Sequence, residues 1–534
     1  MSDECSKALA KYGSVRKAAD ALNIPRSTFF DRLAQERSAL EAIRHMQEPR
    51  VAPIRGREIK RYIFTCAVKG APVHADFLEN LKAYAAFTGA ELIIGALTST
   101  SRQRYAKLEE GKFADEVIPY LSNEPIEIDD KIRYSPELNL TATMSKPLNG
   151  LRTYTKRQWA VFPHTKIAAE TVPTHKDRPA KWIMTTGAVT HPHYSPTKAG
   201  FRAHFDHMHG ALIVEVSKDG VWFRHLTPTN EIDGEFYDLG YHISDAEIRP
   251  HEGVAGLIYG DIHAEQLDPE VAMATWGYTV DPSLRMKVPT RTLVEELRPY
   301  TQVFHDLMDF TAGNYHELQN LFHRLGRWAK GENRVAGDFN KVIKFTRFVA
   351  TLAEENIVVD SNHDAFIEKW LLKFDPCRME DFDNIETFYR LKLAVIDMMR
   401  AGTKFSLLEL AMEHMCGVYD NTEYVTETDE IRFLLSDESY EIMNVECGWH
   451  GHFGPNGRRG SKIAFVGVTE KATIGHTHSP AIESGLHVVG TSSKMDLGYN
   501  NGPSSWAHTH DIVYPNGNRT LINMSGGKFF ADQM

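Results

Sequence analysis

The sequence predicts an α/β protein of more than one domain, led by a small helical head. Three observations carry this. Short apolar, β-branched runs such as Gly256-Leu257-Ile258-Tyr259 and Asn356-Ile357-Val358-Val359 alternate with stretches of helical period, the pattern of strands and helices in turn. The 534 residues exceed what one hydrophobic core usually holds. Most of a series of short polar motifs rich in Asp, Asn and His also follow such runs, so side chains of one chemical kind gather at strand tips.

Composition narrows the class. A 42% hydrophobic and 25% charged content is that of an ordinary globular protein. No apolar run reaches about 18 residues and no charged-then-apolar leader opens the chain, so no membrane contact and a cytoplasmic site of action are expected. The five cysteines are odd in number, scattered and without a Cys-x-x-Cys pair, which argues against a disulfide framework and a structural zinc site. Net charge is −11, yet residues 1–61 carry 13 Lys/Arg against 8 Asp/Glu. A basic head therefore sits on an acidic body.

Residues 1–45 read as a helix-turn-helix. Helical signals cover Cys5 to Lys11, Ser14 to Leu22 and Arg26 to Arg37; Gly13-Ser14 breaks and caps, and Asn23-Ile24-Pro25 turns tightly into the last helix. Ala18 and Ala19 permit a close crossing. In such a unit the start of the last helix enters the major groove, presenting Arg26, Ser27 and Thr28, with Arg16, Lys17 and Arg32 placed for phosphates. Double-stranded DNA is the expected partner, and a homo-oligomer would gain from two half-sites. A small helical oligomerisation unit is the alternative. Residues 46–60, with Pro and Arg and little periodicity, read as a linker.

Residues 61–250 read as a central α/β domain: a strand at Arg61 to Ala67, a helix at His74 to Ala90 and a strand at Glu91 to Leu97 make a βαβ unit. Further strands are expected at Trp159 to Phe162, Lys181 to Thr186, Ala211 to Val216 and Val221 to Leu226. No Gly-rich phosphate loop is present. His191, His193, His204, His207 and His209 have spacings open to a metal, but DNA or interface contacts are the preferred reading. The sequence assigns this domain no role.

From residue 251 to 534 the polar motifs follow in series: Asp261-Ile262-His263, His305-Asp306-Leu307-Met308-Asp309, Ser361-Asn362-His363-Asp364, His450-Gly451-His452 and Gly475-His476-Thr477-His478. Carboxylate, amide and imidazole ligands without thiolate suit borderline and hard divalent ions. A helical insertion, read as a cap or partner surface over the site, is expected over residues 364–416. The Gly-rich loop Gly451 to Gly460, with Arg458 and Arg459, could face a phosphate backbone.

The order and spelling of these motifs resemble the calcineurin-like metallophosphoesterases, over roughly the second half of the chain. The resemblance implies a four-layer α/β/β/α sandwich with two divalent ions at the strand ends, Mn²⁺ foremost, with Mg²⁺, Zn²⁺ and Fe²⁺ also fitting. It implies that Asp261, His263 and His478 hold the first ion, Asn362, His450 and His476 the second, and that Asp306 bridges them. His363 would stabilise the transition state and protonate the leaving oxygen. Two departures stand out: His305 and Ser361 occupy positions where the family has Gly. Gly337-Asp338 is a rival for the bridging carboxylate, and His508-Thr509-His510 repeats the last motif's spelling.

Joined to a basic head, such a core reads as a metal-dependent DNase hydrolysing duplex phosphodiester bonds. The domain order resembles the pre-early nucleases with which certain tailed phages degrade host DNA, which implies a phage-encoded protein acting in the host cytoplasm. A phosphodiesterase or protein phosphatase whose head serves assembly is the alternative.

Overall fold

The computed structural model describes residues 7, 8, 11, 15–25, 28 and 29 of the head, and residues 59–532 apart from 99–112, 139, 231, 315, 316, 318, 319, 378, 416–430 and 499. The chain divides into two compact units, Met1–Glu58 and Ile59–Met534.

In the first unit a helix spans Val15–Ala21, and Ala8, Ala18, Ala19 and Phe29 are buried together beside Leu22 and Ile24. Asn23 takes a left-handed conformation (φ 54°), and Phe29 N donates to Pro25 O, so the chain turns sharply between the two helical stretches. Lys17 is exposed and Thr28 half-buried. The side chain of Arg16, and Arg26, Ser27 and Arg32 altogether, lie outside the described residues, as do most of the expected third helix and the 46–60 linker.

Among the described residues the second unit has three large sheets, beside a three-stranded and a two-stranded one. A five-stranded sheet runs in the order Val221–Leu226, Ala211–Val216, Lys60–Val68, Glu91–Leu97, Leu121–Ser122. A six-stranded sheet runs Arg519–Asn523, Thr509–Val513, Gly256–Ile258, Thr301–Phe304, Glu355–Val358, Arg432–Phe433, with its last four strands parallel. The edges of these two sheets meet: Phe223 N donates to Asn523 Oδ1 and His225 N to Thr520 Oγ1. Both sheets pack face to face on one ten-stranded sheet, whose strands come from residues 126–185 and 441–488. Ile258, Val303 and Ile357 fill the interlayer at one end with Ile442, Val445 and Val489; Phe64, Leu212 and Phe223 fill it at the other with Tyr134, Trp182 and Met184.

Period-2 burial explains the remaining faces. Leu257 and Tyr259 point away from the ten-stranded sheet into a core shared with helices Pro269–Trp276, Val335–Ala350 and Asp364–Lys373. Ile63 and Ala67 likewise meet helix Ala75–Thr88.

Three expectations are corrected. Residues 61–250 and 251–534 are not separate domains: Ala169–Val172 pairs with Ala481–Glu483 inside the ten-stranded sheet, so one sheet crosses the boundary at 250. The sandwich has one helical layer rather than two. Among the described residues, the outer face of the ten-stranded sheet is covered by residues 138–151 and the four-residue helix Lys462–Phe465. Finally, the helices within 364–416 are core: Trp370, Phe388, Leu391, Leu408 and Met415 are buried in the cluster that holds the six-stranded sheet. Among the described residues no helix is long and apolar enough to cross a membrane.

Candidate metal centre

Parallel pairing sets the site. Strands Gly256–Ile258, Thr301–Phe304 and Glu355–Val358 run side by side in one direction, so the residues after them, Asp261, Asp306 and Asn362, emerge at one sheet edge. Strands Val445–Glu446 and Ala472–Ile474 of the facing sheet end beside them and deliver His450, His476 and His478. His263, Asp306, His476 and His478 all have positive φ (44°, 44°, 72° and 52°). Such backbone is unfavourable for residues with a Cβ and gathers at functional sites. Gly475 is required by packing: a Cβ there would overlap Asp261 Oδ1 and press on His305 Cβ at 3.1 Å.

The polar atoms converge in two groups that share Asp306. In the first, His478 Nε2 lies 3.0 Å from Asp261 Oδ2 and 3.1 Å from His263 Nε2, which is 3.8 Å from Asp306 Oδ2. One ligand atom from each of Asp261, His263, Asp306 and His478 falls within 4.8 Å of all the others. In the second, His450 Nε2 lies 3.2 Å from Asp306 Oδ2 and 3.1 Å from Asn362 Oδ1, and His476 Nδ1 is 2.9 Å from that same oxygen. Asp261 and Asp306 are 0% and 1% exposed.

Burial alone would push these carboxyls up. The His478 and His450 imidazoles outweigh it for Asp261, and His450 with His363 for Asp306, holding both below the ordinary carboxylate value. Burial would likewise lower His263, yet its hydrogen bond to Asp309 and the charges of Asp306, Asp309 and Asp261 raise it to about 9. His450 is raised for the same reason. Without a cation the cluster is balanced by protons. Asp306 Oδ1 still has no hydrogen-bond partner although buried, a costly state for a carboxylate oxygen and one that a cation relieves. The residues fit a metal ion.

His363 stands beside this cluster. Its Nδ1 donates to Asp309 O (3.1 Å) and lies 3.4 Å from Asp309 Oδ1, while His263 Nδ1 approaches the same carboxylate at 3.2 Å. Burial holds His363 below the ordinary imidazole value against the pull of Asp306 and Asp309. Asp309 is the functional residue that the motif reading named but left without a role. Its signal was its place three residues after Asp306, in the loop that follows strand Thr301–Phe304. Glu265 then fixes the Asp309 loop, accepting from Asp309 N and Phe310 N at 2.8 Å each.

The structure thus brings Asp261, His263, Asp306, Asn362, His363, His450, His476 and His478 together and excludes the rivals. Asp338 lies in helix Val335–Ala350 and accepts from Ala312 N. His510 Nδ1 accepts from Gly260 N, and His508 Nε2 donates to Ser493 O, so this second pair braces the strand ends. Of the upstream histidines, His207 is engaged by Tyr194 and Thr190 O, while His74 stacks on His191 and both meet His209 edge-on, each pair at 5.0 Å between ring centroids. A cavity of about 620 Å³ opens beside His450, lined by Asp360, Trp449, His452, Phe453 and Phe465 among others.

A mixed α/β fold with a buried carboxylate–imidazole cluster able to hold a metal ion at its strand ends defines the class of protein. Among known proteins the chain is similar to Protein A1 of Escherichia phage T5, with 34% identity over 486 residues, covering 88% of this chain and 83% of that one. It belongs to the family of that protein. No family model matches the chain. No solved structure matches it.

Proposed function

We propose that the protein is a two-metal phosphoesterase of the calcineurin-like kind, acting as a DNase on duplex DNA, phage-encoded and directed at host DNA. The observation that supports this most is the shared carboxylate: one buried aspartate, Asp306, stands between an Asp–His–His group and an Asn–His–His group. That is the arrangement a pair of ions about 3.5–4 Å apart needs. Bound divalent ions, Mn²⁺ foremost, supply Lewis acidity toward the phosphodiester oxygens and acidify water.

The chain's own residues do the rest. Asp261, His263 and His478 would hold one ion, Asn362, His450 and His476 the other, and Asp306 both. Asp309 orients the His363 ring through Nδ1, leaving Nε2 to exchange a proton with the leaving oxygen. An incoming phosphodiester adds negative charge and raises His363 from its depressed value, so the proton is available when substrate is bound. The basic head supplies duplex affinity through Lys17 and, by the sequence reading, Arg16, Arg26, Ser27, Thr28 and Arg32. Membership in the family of a phage protein supports the phage assignment.

The test is cleavage of supercoiled and linear duplex with Mn²⁺ and with EDTA. Intact duplex alongside hydrolysis of a small phosphodiester would sink the DNase reading. It would favour a small-molecule phosphodiesterase, which the aromatic-lined cavity beside His450 would suit.

A further inference from the structure

We propose that residues 60–226 are a second copy of the catalytic half, which has lost its metal centre and serves as a non-catalytic support for the first. The two outer sheets have one topology. In each, an antiparallel pair of strands late in the segment (Ala211–Val216 with Val221–Leu226; Thr509–Val513 with Arg519–Asn523) flanks a first strand. That strand then leads a parallel row: Lys60–Val68, Glu91–Leu97 and Leu121–Ser122 in one half, Gly256–Ile258, Thr301–Phe304 and Glu355–Val358 in the other.

The ten-stranded sheet repeats the relation. From its edges inward, both halves pair antiparallel, parallel, parallel, antiparallel. They meet at a central seam where Ala169 faces Ile482 and Glu170 faces Ala481. Such self-complementary pairing is what a two-fold axis produces between identical subunits.

The loops agree residue by residue. Cys66 bridges Ala188, which bridges His209; Asp261 bridges Thr491, which bridges His508. Val189 N donates to Cys66 O (2.9 Å) and Ser492 N to Asp261 O (2.8 Å). His74 N donates to Val189 O (2.8 Å) and Asp268 N to Ser492 O (3.0 Å). His74 and Asp268 are the N-caps of the equivalent helices. Phe162 and Ile474 end equivalent strands, so Pro163-His164-Thr165-Lys166 stands where Gly475-His476-Thr477-His478 does.

This register shows what the first half lost. Cys66 replaces Asp261, Val68 replaces His263 and Lys166 replaces His478, and the strand end Gly95-Ala96-Leu97-Thr98 has no carboxylate to bridge ions. Two of the groups left there are satisfied within the protein. Cys66 Sγ donates to Gly187 O, and His164 takes a hydrogen bond from Lys166 N and donates to Thr141 O. The Lys166 ammonium fills the space with a fixed positive charge. It donates to Ser145 O (3.2 Å) and to Ser484 Oγ (2.8 Å), 3.5 Å from Asp206. Ser484 lies in the turn between strands Ala481–Glu483 and Leu486–Val488, just after His478. A cation at the vestigial site therefore ties the support to the hairpin that follows the working ligands.

The number of ions rests on the function proposed above; the loss of the first half's centre does not. The full chain is titrated with Mn²⁺, and bound metal is counted for wild type, Cys66→Ser, Lys166→Met and Asp261→Asn, with hydrogen exchange read in parallel. The first two variants should bind as much metal as wild type, and Asp261→Asn should lose at least the ion that Asp261 holds. Amides of 169–172 and 481–483 should exchange together, as partners in one seam. Metal lost in Cys66→Ser or Lys166→Met, or more than one ion per chain retained in Asp261→Asn, would show a working centre in the first half and overturn the proposal. So would exchange at 481–483 as fast as at an open edge strand. A wild type that binds no divalent ion would overturn the metal-dependent function instead, and the seam's exchange would then decide this proposal.

Discussion

Replacing Asp306 by Asn tests the centre most sharply. The substitution keeps shape and removes one negative charge from a carboxylate that both ligand groups approach, 3.2 Å from His450 Nε2 and 3.8 Å from His263 Nε2. Outer partners of metal ligands are worth roughly 10–100-fold in affinity, so a directly shared ligand should exceed about 100-fold. That is about 2.7 kcal/mol at 1.36 kcal/mol per decade. Asp338→Asn is the control, since that carboxyl is buried on a helix away from both groups and bonded to Ala312 N. Calorimetric Mn²⁺ titration with parallel duplex cleavage reads both variants. The expected outcome is loss of metal and of cleavage in Asp306→Asn, with both kept in Asp338→Asn. The reverse pattern would refute the assignment of the bridging carboxylate.

Four further outcomes are expected. Asp309→Asn should weaken Mn²⁺ binding by about 10–100-fold, because His263 loses the carboxylate 3.2 Å from its Nδ1 while the His363 Nδ1 bond to Asp309 O is kept; calorimetric titration with single-turnover cleavage at saturating Mn²⁺ checks this. Gly475→Ala should cost about 1–3 kcal/mol of stability and weaken metal binding, since its Cβ displaces Asp261, as thermal melts with and without Mn²⁺ would show. In metal-free protein, His263 at about 9 lies above its ordinary 6.5, so the stability it contributes is complete below pH 6.5 and lost as pH rises through 9. Glu265, a buried carboxyl raised to about 8, acts in the same direction. Melting temperatures in EDTA should therefore fall from pH 6.5 to 9, less steeply in Asp309→Asn. Removal of residues 1–58 should weaken duplex binding and flatten its salt dependence while a small phosphodiester is still hydrolysed; filter binding across ionic strength with a chromogenic diester separates the two.

Local chemistry was legible in the sequence. The βαβ unit read at Arg61 to Leu97 corresponds to elements at Lys60–Val68, Ala75–Thr88 and Glu91–Leu97, because period and caps act within a few residues. The polar motifs were visible because each sits directly after an apolar strand. Less legible was anything that depends on pairing across hundreds of residues. The boundary expected at 250 does not exist because Ala169–Val172 finds its partner at Ala481–Glu483, and nothing in either short strand names the other. The preference for Asp306 over Asp338 was legible, since the strand-like run Tyr300 to Phe304 precedes Asp306 and none precedes Asp338, but its place in the site was not. Only parallel pairing of Thr301–Phe304 with its neighbours puts Asp306 at the shared edge.

By itself, then, the sequence determined the types of ligand, their order and the short elements that carry them, because those are set by side-chain chemistry and local backbone preference. The tertiary structure alone decided which imidazoles meet which carboxylates, that Asp309 reaches both His263 and His363, and that the upstream half mirrors the downstream one. Two identities in four positions, Pro163-His164-Thr165-Lys166 against Gly475-His476-Thr477-His478, are too short a match to announce a duplication. Strand register is not, because backbone hydrogen bonds preserve topology after the side chains that once bound metal have been replaced.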